Sequence, residues 1–250
     1  MKHLKNDVQL RLIGIIAAVA LICTIIGILI GNSVGRIKND KPVDASVSET
    51  QPSTTEISVP QVDKTQWNLI LVNKWNPVPE DYAVKLTKLK NGLSVDERCY
   101  PDLQKMLDDC RADGLDPVIC SAYRTQEKQE SLFERQIGKW KDKGYSDQEA
   151  YIKAGELVAV PGTSEHQLGL AVDIVDKDYQ MLDEEQEHTE VQQWLMRNSW
   201  KYGFILRYPT DKRDITGITY EPWHYRYVGV DNAKAVYESG LCLEEFLEAQ

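Results

Sequence analysis

The longest apolar run of the chain lies near its N-terminus. Residues 12–30, LIGIIAAVALICTIIGILI, contain no charged side chain. At about 1.5 Å per residue, a helix of this length crosses a hydrocarbon core of roughly 30 Å. The run is longer than the apolar segment of about 7 to 15 residues in a cleaved signal peptide, although small residues after it leave a weak cleavage pattern. We therefore expect an uncleaved transmembrane anchor at 12–31, after a short cytoplasmic N-terminus at 1–11.

A polar stretch follows the anchor. Residues 32–66 are rich in Pro, Ser, Thr, Val and Glu and show neither helical nor strand periodicity, which is typical of a flexible stalk. Basic residues are balanced on the two sides of the apolar run, so they do not fix its orientation. The short N-terminus and long C-terminal part favour a single-pass protein of the cell membrane, with residues 67–250 on the outside.

Beyond residue 67, the apolar positions alternate between strand and helix periodicities. Strands are predicted at 68–72, 86–89, 117–123, 170–174 and 204–208, and helices at 101–110, 125–143, 146–158, 191–198 and 230–239. Strands and helices are mixed without a regular β-α-β alternation. The pattern therefore favours an α+β fold with a mainly antiparallel sheet.

Composition narrows the range of partners. The 250-residue chain has a formal net charge of -10, which argues against a nucleic-acid-binding surface. We expect no nucleic-acid partner and a monomeric chain. An even number of cysteines outside the anchor permits disulfides, and buried free thiols fit equally well. These cysteines are Cys99, Cys110, Cys120 and Cys242.

The stretch PGTSEHQLGLAVDIVD, residues 161–176, carries the first candidate site. His166 and Asp173 lie seven residues apart, and imidazole nitrogen and carboxylate oxygen are both ligands of zinc. A catalytic zinc ion has three protein ligands and keeps one position for water, so a third ligand is needed. His188 lies in an acidic run predicted to be a solvated loop, whereas His224 lies in TYEPWHYRYVG. We rank His224 first and expect one zinc ion per chain.

Further residues fit the hydrolysis of an amide by zinc. Glu221 precedes His224 by three residues, where it can act as the general base, although a carboxylate so close to a metal could instead be a fourth ligand. Arg124 follows a predicted buried strand and can stabilise the oxyanion of the reaction, although an ordinary surface arginine is the simpler interpretation of that position alone. Candidate hydrogen-bonding partners of the substrate are Ser121, Tyr123, Ser164 and Gln167.

Four blocks, SAYR, GTSEHQLGLAVD, WKYGFILRYP and GITYEPWHYRYVG, follow one another in the second half of the chain. Together they resemble the VanY-type D-alanyl-D-alanine carboxypeptidases, whose zinc peptidase family also contains the VanX dipeptidases. The resemblance implies that His166 and Asp173, in SxHxxGxAxD, bind zinc. It implies that Glu221 and His224, in ExxH, are the base and third ligand. It also implies that Arg124, in SxYR, steadies the carbonyl oxygen.

The same resemblance implies a fold and an activity. The expected fold is a compact α+β zinc carboxypeptidase domain at 67–250, with core motifs at 98–229 and zinc on a central antiparallel sheet flanked by helices. The expected activity is that of a D,D-carboxypeptidase, which removes the C-terminal D-alanine from peptidoglycan stem peptides outside the membrane, with Ser164 near the substrate. Two alternatives are an L,D-carboxypeptidase acting on tetrapeptide stems and a non-catalytic wall-binding module.

Overall fold

A computed structural model describes residues 60–250. The predicted anchor at 12–31 and most of the predicted stalk lie outside these described residues. Within residues 60–250, no helix combines the length and the apolar character needed to cross a bilayer. The backbone N–H of Val62, in the last part of the predicted stalk, donates to Gln250 Oε1 at 2.7 Å. The two ends of the described chain are therefore in contact.

Strands and helices are mixed along the chain. In order they are β1 (Leu86–Lys88), β2 (Ser94–Asp96), α1 (Tyr100–Ala112), β3 (Pro117–Ser121), α2 (Gln126–Asp142), α3 (Asp147–Gly155), β4 (Ala171–Asp176), α4 (Glu190–Asn198), β5 (Phe204–Leu206), α5 (Arg213–Thr216), β6 (His224–Tyr227), α6 (Val230–Ser239) and α7 (Leu243–Glu248). Short 3-10 helices lie at Glu165–Leu168, Glu184–His188 and Ser199–Tyr202. The predicted α+β fold class is confirmed.

The central sheet has four strands in the order β3-β4-β6-β5, and every pair is antiparallel. Strands β1 and β2 form a separate antiparallel pair. The register of the central sheet places Ser121 of β3 and His224 of β6 opposite Asp173 of β4. A bulge between Ile119 and Ser121 shifts the register of β3 at this point. The three polar residues therefore form one row across neighbouring strands.

The two faces of the central sheet have different chemistry. Side chains alternate along a strand, so Val172 and Ile174 of β4 enter the main apolar core while Asp173 points to the other face. This core also contains Leu103 of α1 and Leu195 of α4. The helices thus cover the apolar face of the sheet, and the polar face is left to build a site.

The predicted helix starts at α2, α3 and α4 are confirmed. Thr125 accepts a hydrogen bond from the backbone N–H of Lys128 at 3.2 Å. Ser146 and Glu149 form a reciprocal capping box, and Thr189 caps the next helix. Each cap satisfies backbone N–H groups that a helix leaves without partners in its first turn. Local side-chain chemistry therefore sets where these helices begin.

The prediction of a strand at 68–72 is wrong. The segment joins no sheet, although Val72 is fully buried. Arg226 Nη2 donates to the carbonyl oxygens of Asn68 at 3.1 Å and Ile70 at 2.8 Å. Because a buried guanidinium satisfies these carbonyls, the segment can be buried without a neighbouring strand. The apolar pattern of residues 68–72 therefore reflects burial and not pairing with a neighbouring β-strand.

The cysteines of the described domain are free thiols, which decides between the two alternatives left open by the sequence. Cys99, Cys110 and Cys242 are buried, and Cys120 is exposed. Burial raises the pKa of the Cys99 thiol to about 12. The three buried thiols therefore act as small apolar side chains in the core.

The turn before β4 gives a prediction about stability. Gly169 has a φ of 74°, and a Cβ there would lie 3.0 Å from the backbone nitrogen of Asp96. Gly144 has a φ of 90°, with nothing within 4 Å of such a Cβ. Both alanine variants incur a left-handed backbone cost of about 1–2 kcal/mol, but only Gly169→Ala adds a clash. We expect Gly169→Ala to lower the free energy of unfolding, measured with urea, by clearly more than Gly144→Ala. Equal losses would contradict this account.

Candidate metal centre and active site

Three buried side chains converge on the polar face of the central sheet. One ligand atom from each of His166, Asp173 and His224 lies within 4.8 Å of the others. Asp173 Oδ1 is 3.0 Å from His224 Nδ1, and Asp173 Oδ2 is 3.3 Å from His166 Nε2. Donors bound at about 2.0–2.1 Å to a tetrahedral zinc ion lie roughly 3.3 Å apart. The spacing and the chemistry of this donor set therefore fit zinc.

The backbone brings these residues together from three places. Asp173 and His224 are direct neighbours on β4 and β6. His166 belongs to the 3-10 helix Glu165–Leu168, which ends at Gly169 just before β4. His188, the other candidate ligand, is not in the cluster, and its side chain is 67% exposed. The metal-binding cluster thus contains His224 and not His188.

Hydrogen bonds set the orientation of both imidazoles. His166 Nδ1 lies 2.8 Å from the carbonyl oxygen of Ala122, which can only accept, so Nδ1–H is the donor and Nε2 faces the cluster. His224 presents Nδ1 to Asp173, while its Nε2 lies 3.5 Å from Glu165 Oε2. The two histidines therefore offer different nitrogens to a metal ion.

The electrostatics of the cluster favour an anionic Asp173. Burial opposes its ionisation, but the two histidines and Arg124 hold the pKa of Asp173 well below its ordinary value. Burial, and next the charge of Arg124, lowers the pKa of His166 to about 4. Burial also acts to lower the pKa of His224, but the neighbouring carboxylates of Asp173 and Glu165 raise it to about 9. A metal ion must displace a proton from His224 near neutral pH.

Glu221 lies beside the cluster without belonging to it. Its Oε2 is 3.7 Å from His224 Nδ1, and its side chain lines the cleft that leads to the site. Burial raises the pKa of Glu221 to about 8. A carboxylate next to the ligands, in contact with the cleft and with a pKa near neutrality, has the position and the chemistry of a general base.

Arg124 also reaches the site, so it is not the ordinary surface residue that its sequence position suggested. Its Nη2 donates to Asp173 Oδ2 at 2.7 Å, and its Nε donates to Ser121 Oγ at 2.9 Å. A third contact joins Nη1 to Gln129 Oε1 at 3.4 Å. The guanidinium lines the cleft. These contacts fix a positive charge next to the metal-binding cluster.

Of the four candidate hydrogen-bonding partners of the substrate, one lines the cleft and three do not. Ser164 is buried in the wall of the cleft. Ser121, Tyr123 and Gln167 do not line the cleft. Ser121 accepts from the arginine described above, and Gln167 Oε1 accepts from the backbone N–H of Gly162 at 2.9 Å. Ser121 and Gln167 are therefore engaged in holding neighbouring parts of the site.

The cleft has a volume of about 780 Å³, within the range of roughly 300–1,000 Å³ that suits small ligands and short peptides. Helix α2 contributes Arg135 and Lys139 to its lining, and the segment before α4 contributes Asp183, Glu184 and Glu185. Charges of both signs therefore lie along the approach to the metal-binding cluster.

The comparison with protein families agrees with this site. The model of the VanY family, D-alanyl-D-alanine carboxypeptidase, matches residues 92–230, more than half of the chain. The chain belongs to the VanY family. The family predicted from the four sequence blocks is thus confirmed, and the matched region includes the whole metal-binding cluster with Glu221 and Arg124.

Individual relatives give the same result. The chain is 47% identical over 200 residues to a D-alanyl-D-alanine carboxypeptidase of Enterococcus faecalis (strain ATCC 700802 / V583), which covers 80% of this chain and 73% of that protein. One solved structure is that of a mutant of the vancomycin resistance D,D-pentapeptidase VanY, from a VanB-type resistance cassette, in complex with Zn(II). Its sequence is 50% identical to this chain. It has a TM-score of 0.67 and covers 73% of this chain and 99% of the other. The LdcB LD-carboxypeptidase is 33% identical, with a TM-score of 0.61 and coverage of 77% and 94%.

Three buried charged residues of this VanY domain escaped the sequence analysis. Glu165 Oε1 accepts from Arg207 Nε at 2.7 Å and from Arg226 Nη1 at 2.8 Å. All three side chains are 0% exposed. Two signals were available in the sequence. Glu165 directly precedes a metal-ligand candidate, and both arginines interrupt strand-like apolar stretches.

The cluster predicts which residues zinc binding requires. The full-length chain and its His188→Ala variant should each retain about one zinc ion per chain after dialysis, because a catalytic site needs only three protein ligands. Glu221→Ala should retain the metal too, since Glu221 lies outside the ligand set. His224→Ala should lose it. Zinc content by atomic absorption checks this, and loss of zinc from Glu221→Ala would make Glu221 a ligand.

Proposed function

We propose that this protein is a zinc-dependent D,D-carboxypeptidase that hydrolyses the terminal D-Ala-D-Ala amide bond of peptidoglycan stem peptides and releases D-alanine. The observation that carries the proposal is the buried cluster of His166, Asp173 and His224, with the carboxylate of Glu221 3.7 Å from His224 Nδ1. Identity of 50% to a D,D-pentapeptidase, against 33% to an L,D-carboxypeptidase, supports the D,D specificity.

The metal-binding residues determine which ion is expected. His166 and His224 supply nitrogen and Asp173 supplies oxygen, and two imidazoles favour zinc over magnesium or calcium, which prefer oxygen alone. When bound, zinc polarises the scissile carbonyl and lowers the pKa of a water molecule toward about 7. Three protein ligands leave one position for that chemistry.

Glu221 is the proton carrier in this proposal. Its carboxylate takes the proton of the attacking water and gives it to the amine of the departing D-alanine. The pKa of Glu221, about 8, is raised by burial, and the charge of a metal ion at the neighbouring ligands lowers it again. The carboxylate is then ionised at neutral pH, as a base must be.

Arg124 stabilises the negative charge that develops on the carbonyl oxygen. Its guanidinium is held by Ser121, Gln129 and Asp173, so little reorganisation is needed when the charge appears. Ser164, in the cleft wall, offers a hydroxyl for a hydrogen bond to the peptide. A non-catalytic binding module would need neither a base nor an oxyanion partner beside the metal.

A peptide assay tests the proposed activity. The zinc-loaded protein should release one D-alanine from a stem pentapeptide and leave the tetrapeptide intact, as followed by mass spectrometry. A chelator should abolish the release and added zinc should restore it. Glu221→Ala should lower kcat by about 10²–10⁴ without loss of zinc. Cleavage of the tetrapeptide would establish the L,D alternative. A zinc-loaded protein that cleaves neither peptide would refute a carboxypeptidase.

We further propose that the domain works outside the cell membrane, anchored by residues 12–31 through the stalk at 32–66. The uncharged apolar run supports this location. We also propose a monomeric enzyme, because the described residues of one chain supply every proposed catalytic group and the activity needs no second chain.

Cell fractionation tests the anchor. The full-length protein should stay in the membrane pellet after alkaline carbonate extraction, and protease added to intact protoplasts should digest it. A variant that lacks residues 1–31 should appear in the soluble fraction. A full-length chain that carbonate extracts, or that external protease leaves intact, would contradict the proposed topology.

A further inference from the structure

Behind the metal-binding cluster lies a buried carboxylate that the proposed mechanism does not use. Glu165 Oε2 is 3.5 Å from His224 Nε2. Within the described residues, neither of these two buried atoms has a hydrogen-bond partner of ordinary geometry, so each is the nearest available partner of the other. On the opposite side of the ring, His224 Nδ1 faces Asp173 Oδ1 at 3.0 Å. The imidazole of His224 therefore lies between two carboxylates, one at each nitrogen.

Two arginines fix the orientation of this carboxylate. Arg207 Nε and Arg226 Nη1 both donate to Glu165 Oε1, at 2.7 and 2.8 Å. Arg207 is held in turn by two hydrogen bonds to the carboxylate of Glu244, at 2.8 and 2.7 Å. With Oε1 occupied, Oε2 remains free to face the imidazole.

The donors around Glu165 identify it as an anion. Its Oε1 accepts from two guanidinium groups, those of Arg207 and Arg226, and all three side chains are fully buried. An ionised carboxylate can only accept hydrogen bonds. The neighbouring Nε2 of His224 therefore keeps its proton. The proton that a metal ion would displace is the one on Nδ1. This is the nitrogen that faces the metal-binding cluster.

Glu165, Arg207 and Arg226 come from segments that lie next to the metal ligands in the fold. Glu165 and His166 are adjacent in one 3-10 helix, so a single turn supplies a metal ligand and a contact to the other histidine ligand. Arg226 follows His224 by two residues on β6, and alternate residues of a strand share a face. The backbone N–H of Arg207 donates to the carbonyl of His224 at 3.2 Å.

We propose that Glu165 is a positioning residue for the metal centre. It holds the proton on His224 Nε2 and so directs the Nδ1 lone pair to zinc. Carboxylates placed behind a histidine ligand act in this way in other metal sites, where their loss costs about 10–100-fold in metal affinity or activity. The inference rests on the zinc-dependent function proposed above, but it concerns the affinity for zinc and not proton transfer.

The positioning role of Glu165 can be tested by measuring the zinc affinity of the full-length protein, solubilised in detergent. In competition with a chromogenic chelator, Glu165→Gln should bind zinc about 10–100-fold more weakly than the parent protein. Glu244→Gln is the matched control, because it removes a carboxylate from the same arginine but does not contact His224. It should lower the melting temperature and leave zinc affinity unchanged.

A second variant guards against a folding defect. Glu165→Asp keeps the negative charge near the arginines but shortens the reach to His224, so it should fold, as judged by circular dichroism, and still bind zinc more weakly. Parent-like affinity in either folded Glu165 variant, or equal weakening in Glu244→Gln, would overturn the inference. A parent that binds zinc but cleaves no stem peptide would refute the proposed function alone, while a parent that binds no zinc would overturn both.

Discussion

The site depends on one buried carboxylate, that of Asp173. Its two oxygens contact His166, His224 and Arg124 at 3.3, 3.0 and 2.7 Å. A carboxylate so deeply buried is unstable as an anion unless positive charge or hydrogen-bond donors surround it. The pKa of Asp173 lies well below its ordinary value, because these neighbours outweigh the effect of burial. The anion in turn keeps two imidazoles and a guanidinium together.

The antiparallel register makes this arrangement rigid. Asp173 is paired with His224 on one side and with Ser121 on the other, and a slip of one residue would turn its side chain into the apolar core. The opposite face of the sheet is packed against α1 and α4, so the register cannot change without exposing that core. Packing on one face therefore fixes the positions of ligands on the other.

Much of the site could be predicted from the sequence because its parts are local. The pair His166 and Asp173 lies within one turn and one strand, and Glu221 lies close to His224 along the chain. The caps at Thr125, Ser146 and Thr189 depend on side chains a few residues away. The contacts that the sequence did not predict join residues that are far apart along the chain.

The group around Glu165 shows this limit. It joins residues from the 3-10 helix before β4, from the position just after β5, from β6 and from α7. No periodicity marks such contacts, because each charge is stabilised by a partner far away in sequence. The strand predicted at 68–72 failed for the same reason. Its carbonyls are satisfied by the side chain of Arg226, which an apolar pattern cannot reveal.

Anomalous diffraction at the zinc absorption edge, from crystals of the zinc-loaded protein, tests the central claim most directly. We expect one zinc ion bound by His166 Nε2, a carboxylate oxygen of Asp173 and His224 Nδ1, with Glu221 outside the ligand set. A zinc ion bound through His224 Nε2, coordinated by Glu221, or located away from this row of residues would contradict the account.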